Sequence, residues 1–204
     1  MKALFPSYRL ALLTLGISCS FGLASCFEKD EDPTPDETAV SDSLHFAFKT
    51  PDWAREIDCE QLNLSFKTIY STNDKIAWAS AGSQSTGSQF YFTYPADSSA
   101  LVAPGKLTKY AIGDYLSNTG AFEMSHKVPT TEGSASRLLS VAGKADNSYN
   151  EILSVKYIKH EGAYALFDIK GRYQMQMKEL TNGVYGATKP VSGSFKFRLR
   201  AAAK

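Results

Sequence analysis

The chain has little of the residue types on which most catalytic and metal sites depend. Its 204 residues include only three cysteines and three histidines, and no histidine has a second histidine or cysteine at metal-ligand spacing. Beyond residue 26 the chain contains neither Gly-x-Ser-x-Gly nor Ser-x-x-Lys, the motifs of two large classes of serine enzymes. The sequence therefore predicts no catalytic residue, no metal and no cofactor.

Charge of one sign is also lacking, because 22 Lys and Arg residues stand against 21 Asp and Glu residues. The net charge of +1 gives no electrostatic reason to expect a nucleic-acid partner. The apolar stretch at residues 10–23 has only fourteen residues, whereas a membrane-spanning helix needs about 20. What is present is 43% hydrophobic and 12% aromatic residues, which is typical of one globular domain with appendages.

The first 26 residues have the order of a bacterial lipoprotein signal. Lys2 and Arg9 form a positive start, residues 10–23 form the apolar segment, and Leu23-Ala24-Ser25-Cys26 follows. This tetrapeptide resembles the lipobox, in which a signal peptidase cuts before a cysteine whose thiol carries the lipid. The resemblance implies a signal peptide at residues 1–25, palmitate-type acylation of Cys26 and attachment to a membrane. An ordinary signal peptide with an incidental cysteine is the alternative.

Residues 26–43 are predicted to be the lipidated cysteine and a disordered acidic tether, because seven acids face one lysine in residues 27–43. Lys29-Asp30-Glu31 resembles the export signal that directs lipoproteins of Bacteroidota to the outer face of the outer membrane. Asp42-Ser43-Leu44 resembles the O-glycosylation pattern of the same bacteria, with Ser43 as the acceptor. These resemblances imply an outer-membrane lipoprotein that faces the cell exterior, and a plain spacer is the alternative.

Residues 44–204 are predicted to form a single, mainly β globular domain. Alternating apolar and polar residues predict strands at 44–49, 62–70, 75–81, 89–94, 151–160, 163–178 and 193–200. Thr50-Pro51-Asp52 offers an N-cap, a proline at the first helical position and an early acid, which predicts one short helix through about Leu62. We expect long loops at residues 95–135. This pattern favours an antiparallel β-sandwich or an open barrel.

Two segments near the C-terminus, residues 171–175 and 193–197, share a Gly-x-aromatic-x-apolar pattern. We expect them to lie in adjacent strands whose glycines permit a bend or a bulge. The signal, the lipobox, the tether and a β-rich domain with a closing Gly-x-Phe-x-Phe strand together resemble small surface lipoproteins of Bacteroidota. That group is without an assigned activity, so the resemblance implies a surface domain and transfers no catalytic residue.

Two kinds of side chain are candidates for ligand binding. Lys196, Arg198 and Arg200 alternate along one predicted strand, so they form a cationic stripe on one face. The stripe is either an anion-binding site or the charged face of an edge strand that discourages aggregation. Exposed tyrosines such as Tyr91 or Tyr149 can stack on sugar rings, and a place in the core is the alternative for each of them.

Acidic residues supply the candidate for catalysis. Asp52, Glu56 and Glu60 would share one face of the predicted helix, where carboxylates can act as a pair on a glycoside or bind Ca²⁺. A solvated acidic surface is the alternative. Cys59 would be a buried, inert thiol on the apolar side of the same helix.

Two functions from different classes follow from these observations. The first is a non-enzymatic binding or accessory lipoprotein whose ligand is a glycan or a protein. The second is a surface glycan hydrolase that uses the acidic residues near Asp52 and Glu56. A shallow aromatic groove would favour binding, whereas two carboxylates about 5–10 Å apart in a deep cleft would favour hydrolysis.

Overall fold

The computed structural model describes residues 40–60, 67–68 and 75–203. These residues form eleven β-strands and one short helix, which confirms the predicted mainly β fold. In chain order the elements are β1 (His45–Lys49), β2 (Ala54–Asp58), β3 (Lys67–Thr68), β4 (Ile76–Ser83), β5 (Ser88–Pro95), α1 (Ser98–Leu101), β6 (Lys109–Tyr110), β7 (Met124–Pro129), β8 (Arg137–Ser140), β9 (Tyr149–Glu161), β10 (Tyr164–Thr181) and β11 (Val184–Ala202).

The eleven strands form one antiparallel sheet. Its order is β2-β1-β11-β10-β8-β7-β5-β4-β3. The edge of β10 opposite β11 is shared by two strands, because β8 pairs with one end of it and β9 with the rest, and β6 pairs in turn with β9. Residues 164–174 of β10 pair with β9, and residues 177–180 pair with β8. The sheet curls into a half-barrel, which corresponds to the open barrel among the predicted architectures.

The core lies on the concave side of the curled sheet. The rings of Phe46 on β1 and Phe90 on β5 stack with their centroids 4.3 Å apart, and Phe90 stacks on Phe197 of β11 at 4.7 Å. Four strands separate β1 from β5 in the sheet, so these two rings can meet only because the sheet curls. All three are buried, and full burial of one such side chain contributes about 1.5–3 kcal/mol.

The two repeated glycines lie in neighbouring strands, as predicted, and each makes room for an aromatic ring. Gly171 is opposite Phe195, and Gly193 is opposite Tyr173. A Cβ on Gly193 would lie 2.7 Å from the Tyr173 hydroxyl oxygen, so the ring of Tyr173 can cross β11 only where the side chain is missing. Its hydroxyl then donates to the carbonyl oxygen of Ala47 on β1 at 2.9 Å. The pairing of β10 with β11 is regular at both glycines, so the bulge that they were expected to permit is not in their own strands. The register shift beside Gly171 comes from an extra residue, Leu153, in β9.

The helix predicted after Thr50 is wrong. The Thr50 hydroxyl accepts hydrogen bonds from the amides of Asp52 and Trp53, at 3.2 and 3.1 Å, as an N-cap would. However, the Thr50 amide donates to the Trp53 carbonyl at 2.8 Å and closes a turn. The chain then runs back along β1 as β2, so the signature of a helix start is here the signature of a hairpin turn.

The remaining strand predictions differ from the structure mainly in extent. The predicted strands at 44–49, 75–81, 89–94, 151–160, 163–178 and 193–200 are confirmed within a few residues, although β11 begins at Val184. The strand predicted at 62–70 lies outside the described residues except for 67–68, which are extended. Residues 95–135, predicted as long loops, also contain α1, β6 and the buried β7.

Candidate functional site

A group of aromatic rings lies on the convex side of the sheet. Phe90 and Phe92 of β5 face the core, so Tyr91 between them points to the opposite side. Trp78 on the neighbouring β4 follows the buried Ala77 and lies on the same side, with its ring centroid 5.9 Å from that of Tyr91 and the two planes 29° apart. Both rings remain partly exposed.

A third ring, Tyr115, comes from the connection between β6 and β7. The connection is fixed to β8 and the residues after it, because the Tyr115 amide donates to the Ser140 carbonyl at 3.3 Å and the Asp114 carboxylate accepts from the Ala142 amide at 2.8 Å. The Tyr115 ring meets Tyr91 edge-on, with the centroids 5.8 Å apart. Trp78, Tyr91 and Tyr115 are called the aromatic platform below.

Polar groups flank the aromatic platform. The Tyr115 hydroxyl donates to the side-chain oxygen of Gln89 at 2.5 Å. Burial, and after it the neighbouring Tyr91 hydroxyl, raise the pKa of Tyr115 to about 12, so this phenol is neutral at physiological pH. The Lys127 ammonium lies 5.5 Å from the Tyr115 ring centroid. The arrangement offers flat apolar faces beside one cation and several hydrogen-bonding groups.

The sequence identified only one of these three rings. Tyr91 belongs to the aromatic platform, whereas Tyr149, the other tyrosine suggested for sugar stacking, lies 4.0 Å from the Lys109 ammonium, which covers one face of its ring. The period-2 pattern of β4 could have placed Trp78 beside Tyr91. Tyr115 belongs to an irregular connection, and no periodicity places its ring.

The predicted cationic stripe is present on the convex face of β11, and each of its members lies near a carboxylate. Arg198 donates twice to Asp168, at 2.8 and 3.2 Å, and Lys196 lies 3.8 Å from the same carboxylate. Arg200 lies 3.1 Å from Glu161. At Lys196 the strand is flanked by both β1 and β10, so it is not an edge strand there. Anion binding by this stripe stays a prediction.

The predicted modification and sorting residues fall at the start of the chain. Cys26, Lys29, Asp30 and Glu31 lie outside the described residues. Ser43 is described and exposed, and its hydroxyl oxygen lies 2.8 Å from that of Ser41. An exposed hydroxyl is what an O-glycosylation acceptor needs, and the modification itself stays a prediction.

The acidic helix face does not exist, because β2 replaces the helix. Asp52 lies in the turn before β2, where its carboxylate is 3.0 Å from the Lys189 ammonium. Glu56 is an exposed residue within β2, and Glu60 follows the strand, with its amide donating to the Asp58 carboxylate at 2.8 Å. The prediction that three carboxylates share one helix face is therefore wrong.

A cleft of about 170 Å³ lies between the end of β2 and the β4–β5 hairpin, lined in part by Cys59, Ser83 and Phe90. Burial raises the pKa of the Cys59 thiol to about 12, so the thiol is protonated at neutral pH and is a poor nucleophile. Its predicted burial is confirmed, although it follows a strand instead of lying on a helix. Within the described ranges, no three His, Cys, Asp or Glu side chains are grouped so that they could hold a metal ion.

Searches of protein families, curated proteins and solved structures find no match to this chain. In the part of the chain that the structure describes, no helix has the length and apolar character needed to cross a membrane. The aromatic platform is thus the candidate site that the geometry itself supports best.

Proposed function

We propose that the domain is a non-enzymatic binding module of a surface lipoprotein, and that it binds a glycan on the aromatic platform. The observation that carries this proposal is the grouping of three partly exposed rings, Trp78, Tyr91 and Tyr115, on one convex surface. An aromatic ring has a partly negative face, and one side of a sugar ring presents C–H groups with partly positive hydrogens. Stacking the two is favourable and also removes apolar surface from water.

The surroundings of the rings support a polymeric ligand. The aromatic platform lies on the convex side of the sheet and its three rings are partly exposed, whereas small ligands are usually enclosed in concave pockets. A polysaccharide that passes over the surface needs no enclosure and can contact more than one ring. Gln89 and Lys127 lie beside the rings, where they can hydrogen-bond to sugar hydroxyl groups and fix the orientation of the chain.

The location of the module is part of the same proposal. Lipidation of Cys26 would attach the chain to the outer membrane, and Lys29-Asp30-Glu31 would direct it to the outer face. The support is the order of signal, lipobox and acidic segment in the sequence. Replacement of Lys29, Asp30 and Glu31 by alanine should protect the domain from protease added to intact cells. Equal digestion of the variant and the parent would contradict the sorting proposal.

Glycan binding can be tested by a glycan array followed by affinity electrophoresis with the retained polysaccharides. Trp78→Ala combined with Tyr91→Ala should weaken binding about tenfold or more, because the variant removes two of the three rings on which a sugar would stack, and a tenfold change corresponds to ~1.4 kcal/mol. Tyr185→Ala is the matched control, since Tyr185 is 60% exposed next to the β10–β11 turn and outside the aromatic platform.

The outcomes of this experiment separate the ligand classes. Equal glycan binding by the double variant and by the Tyr185→Ala control would contradict the aromatic platform as the site. If the parent retains a protein through the same three rings and no glycan, the ligand class is protein, and the domain is still a binding module.

The surface hydrolase is the alternative function. It loses the support of a shared helix face, because Asp52 lies in a turn and Glu56 in β2. If it is correct, Asp52→Asn combined with Glu56→Gln should abolish the release of reducing sugar from a polysaccharide that the parent cleaves. Unchanged release by that variant would refute a role for these two carboxylates.

A further inference from the structure

Three lysines lie on the convex face of three neighbouring strands, at nearby register positions. Lys170 of β10 is directly opposite Lys196 of β11. Lys156 of β9 is opposite Asp168 of β10, two residues from Lys170. Like charges directly opposite each other in a sheet destabilise it, so the pair formed by Lys170 and Lys196 needs a nearby anion.

Asp42, three residues before β1, supplies that anion. Its carboxylate lies 3.0 Å from the Lys170 ammonium, and its backbone carbonyl accepts a hydrogen bond from the Lys196 ammonium at 2.7 Å. The hydrogen bond from Lys170, with the charges of Lys170, Lys196 and Lys156, lowers the pKa of the Asp42 carboxyl below its usual value. Asp42 is therefore in contact with lysines of β10 and β11, and Lys156 of β9 adds to the positive charge around it.

A second carboxylate beside these lysines, Asp168, is already engaged. Asp168 accepts two hydrogen bonds from Arg198 and lies 3.8 Å from Lys196. Without Asp42, Asp168 would be the one carboxylate among the described residues that forms an ion pair with any of the three lysines. The surface would carry an excess of positive charge around a fixed position on the sheet.

The exposure of Asp42 allows another anion to replace its carboxylate on the lysines. The Asp42 side chain is 91% exposed, whereas the side chains of Lys170 and Lys196 are only 21% and 19% exposed. The lysines are thus packed in place while their anion stays at the surface, and exposed ion pairs of this kind are weak. Buried Val40 and His45 hold the chain on either side of exposed residues 41–43, so only three residues need to move.

We propose that Lys156, Lys170 and Lys196 form an anion-binding site, which the carboxylate of Asp42 fills in this structure and which an external carboxylate, sulfate or phosphate group takes by displacing it. The site differs from the predicted stripe, because Arg198 and Arg200 are held by Asp168 and Glu161. It is also independent of the aromatic platform, which lies on β4, β5 and the β6–β7 connection.

The test is a titration of the full chain, which includes Asp42, with sodium glucuronate, sulfate and phosphate at pH 7, followed by the amide NMR signals of β9–β11. Sodium chloride at matched ionic strength is the blank. Asp42→Asn should raise the affinity for the preferred anion about three- to tenfold, because an internal competitor that fills the site in most molecules lowers the apparent affinity by the unfilled fraction. Lys170→Gln combined with Lys196→Gln should abolish the response in both backgrounds.

Asp146→Asn is the matched control, since Asp146 is exposed in the connection before β9 and its replacement makes the same change in net charge. Its anion affinity should equal that of the parent. An unchanged affinity in Asp42→Asn, an equal gain in Asp146→Asn, or anion binding retained by the double lysine variant would each overturn the proposal. Which of the three probes binds most tightly identifies the source of the anion as a uronate, a sulfate ester or a phosphate ester.

Discussion

Lowering the pH should destabilise the fold through a single histidine. His126 of β7 is fully buried on the concave side of the sheet, where its ring meets Phe46 edge-on with the centroids 4.7 Å apart and Tyr173 at 6.4 Å. Among the described residues, neither ring nitrogen has a hydrogen-bond partner. Protonation would place a charge in an apolar environment with nothing to compensate it.

The size of the effect follows from the difference between the folded and unfolded states. Burial lowers the pKa of His126 from 6.5 to about 3. Between pH 6.5 and pH 3, His126 therefore binds a proton in the unfolded chain but not in the folded chain. The free energy of unfolding is at its full value above pH 6.5 and falls as the pH drops toward 3. With ~1.4 kcal/mol for each pKa unit, the free energy of unfolding should fall by about 2 kcal/mol at pH 5 and by about 4 kcal/mol at pH 3.

Urea unfolding at pH 7.5 and at pH 5.0 measures this loss. His126→Phe keeps an aromatic ring in the site and removes the titration, so its free energy of unfolding should change little between the two pH values. His160→Gln, at an exposed position near the end of β9, should keep the pH dependence of the parent. If His126→Phe loses as much stability at pH 5.0 as the parent does, the assignment to His126 is refuted.

Three further predictions concern stability and anchoring. Phe197→Ala should cost about 3–5 kcal/mol in urea unfolding, because the buried ring stacks with three other phenylalanines, Phe46, Phe90 and Phe195; unfolding at the parent's midpoint would contradict its place in the core. Gly193→Ala should cost about 3 kcal/mol, at the upper end of overpacking effects, since its Cβ would collide with the backbone carbonyl oxygen of Ala47 and with the Tyr173 hydroxyl. A Cβ at Gly186 has room, so Gly186→Ala should stay within about 0.5 kcal/mol, and equal melting temperatures of the two variants would be the contrary result. Cys26→Ala should abolish metabolic labelling with a palmitate analogue, and a labelled variant would exclude Cys26 as the lipidated residue.

The strands that the sequence predicts best are those in which one face is continuously apolar. In β10, Phe167, Ile169, Tyr173 and Met175 are all buried and share one side. Such a run has only one arrangement that buries its apolar residues, because a shift of one residue would turn all of them to solvent. The pairing of β10 with β11 could also be predicted from the two glycines. The ring of Phe195 lies opposite Gly171, and the ring of Tyr173 lies opposite Gly193.

The helix prediction failed for a reason that lies outside its own segment. Thr50, Pro51 and Asp52 satisfy the hydrogen bonds of a helix N-terminus and of a turn equally well. The choice between the two depends on β1, whose free edge pairs with Ala54–Asp58. Local sequence cannot report the presence of that edge, because it exists only once β1 has joined β11.

The aromatic platform and the proposed anion-binding site also depend on contacts between distant parts of the chain. Tyr91 could be assigned to the convex face from the alternation within β5, but its neighbours come from elsewhere in the chain. Tyr115 reaches it through a connection that is held by β8, and Asp42 reaches Lys170 across 128 residues of sequence. Contacts between residues so far apart in the sequence depend on the order of the strands in the sheet. Hydrophobic periodicity and residue propensities do not determine that order.

The place of β11 between β1 and β10 determines when the sheet can assemble. β1 is the first described strand of the chain and β11 the last, and they pair directly through residues 45–49 and 192–196. During synthesis, β1 and β2 can form at most an isolated hairpin, which is only marginally stable in water, until residues 192–196 of β11 have emerged. The fold therefore has a high contact order, for which folding times of milliseconds to seconds are typical. A chain that stops before residue 192 lacks the part of β11 that pairs with β1.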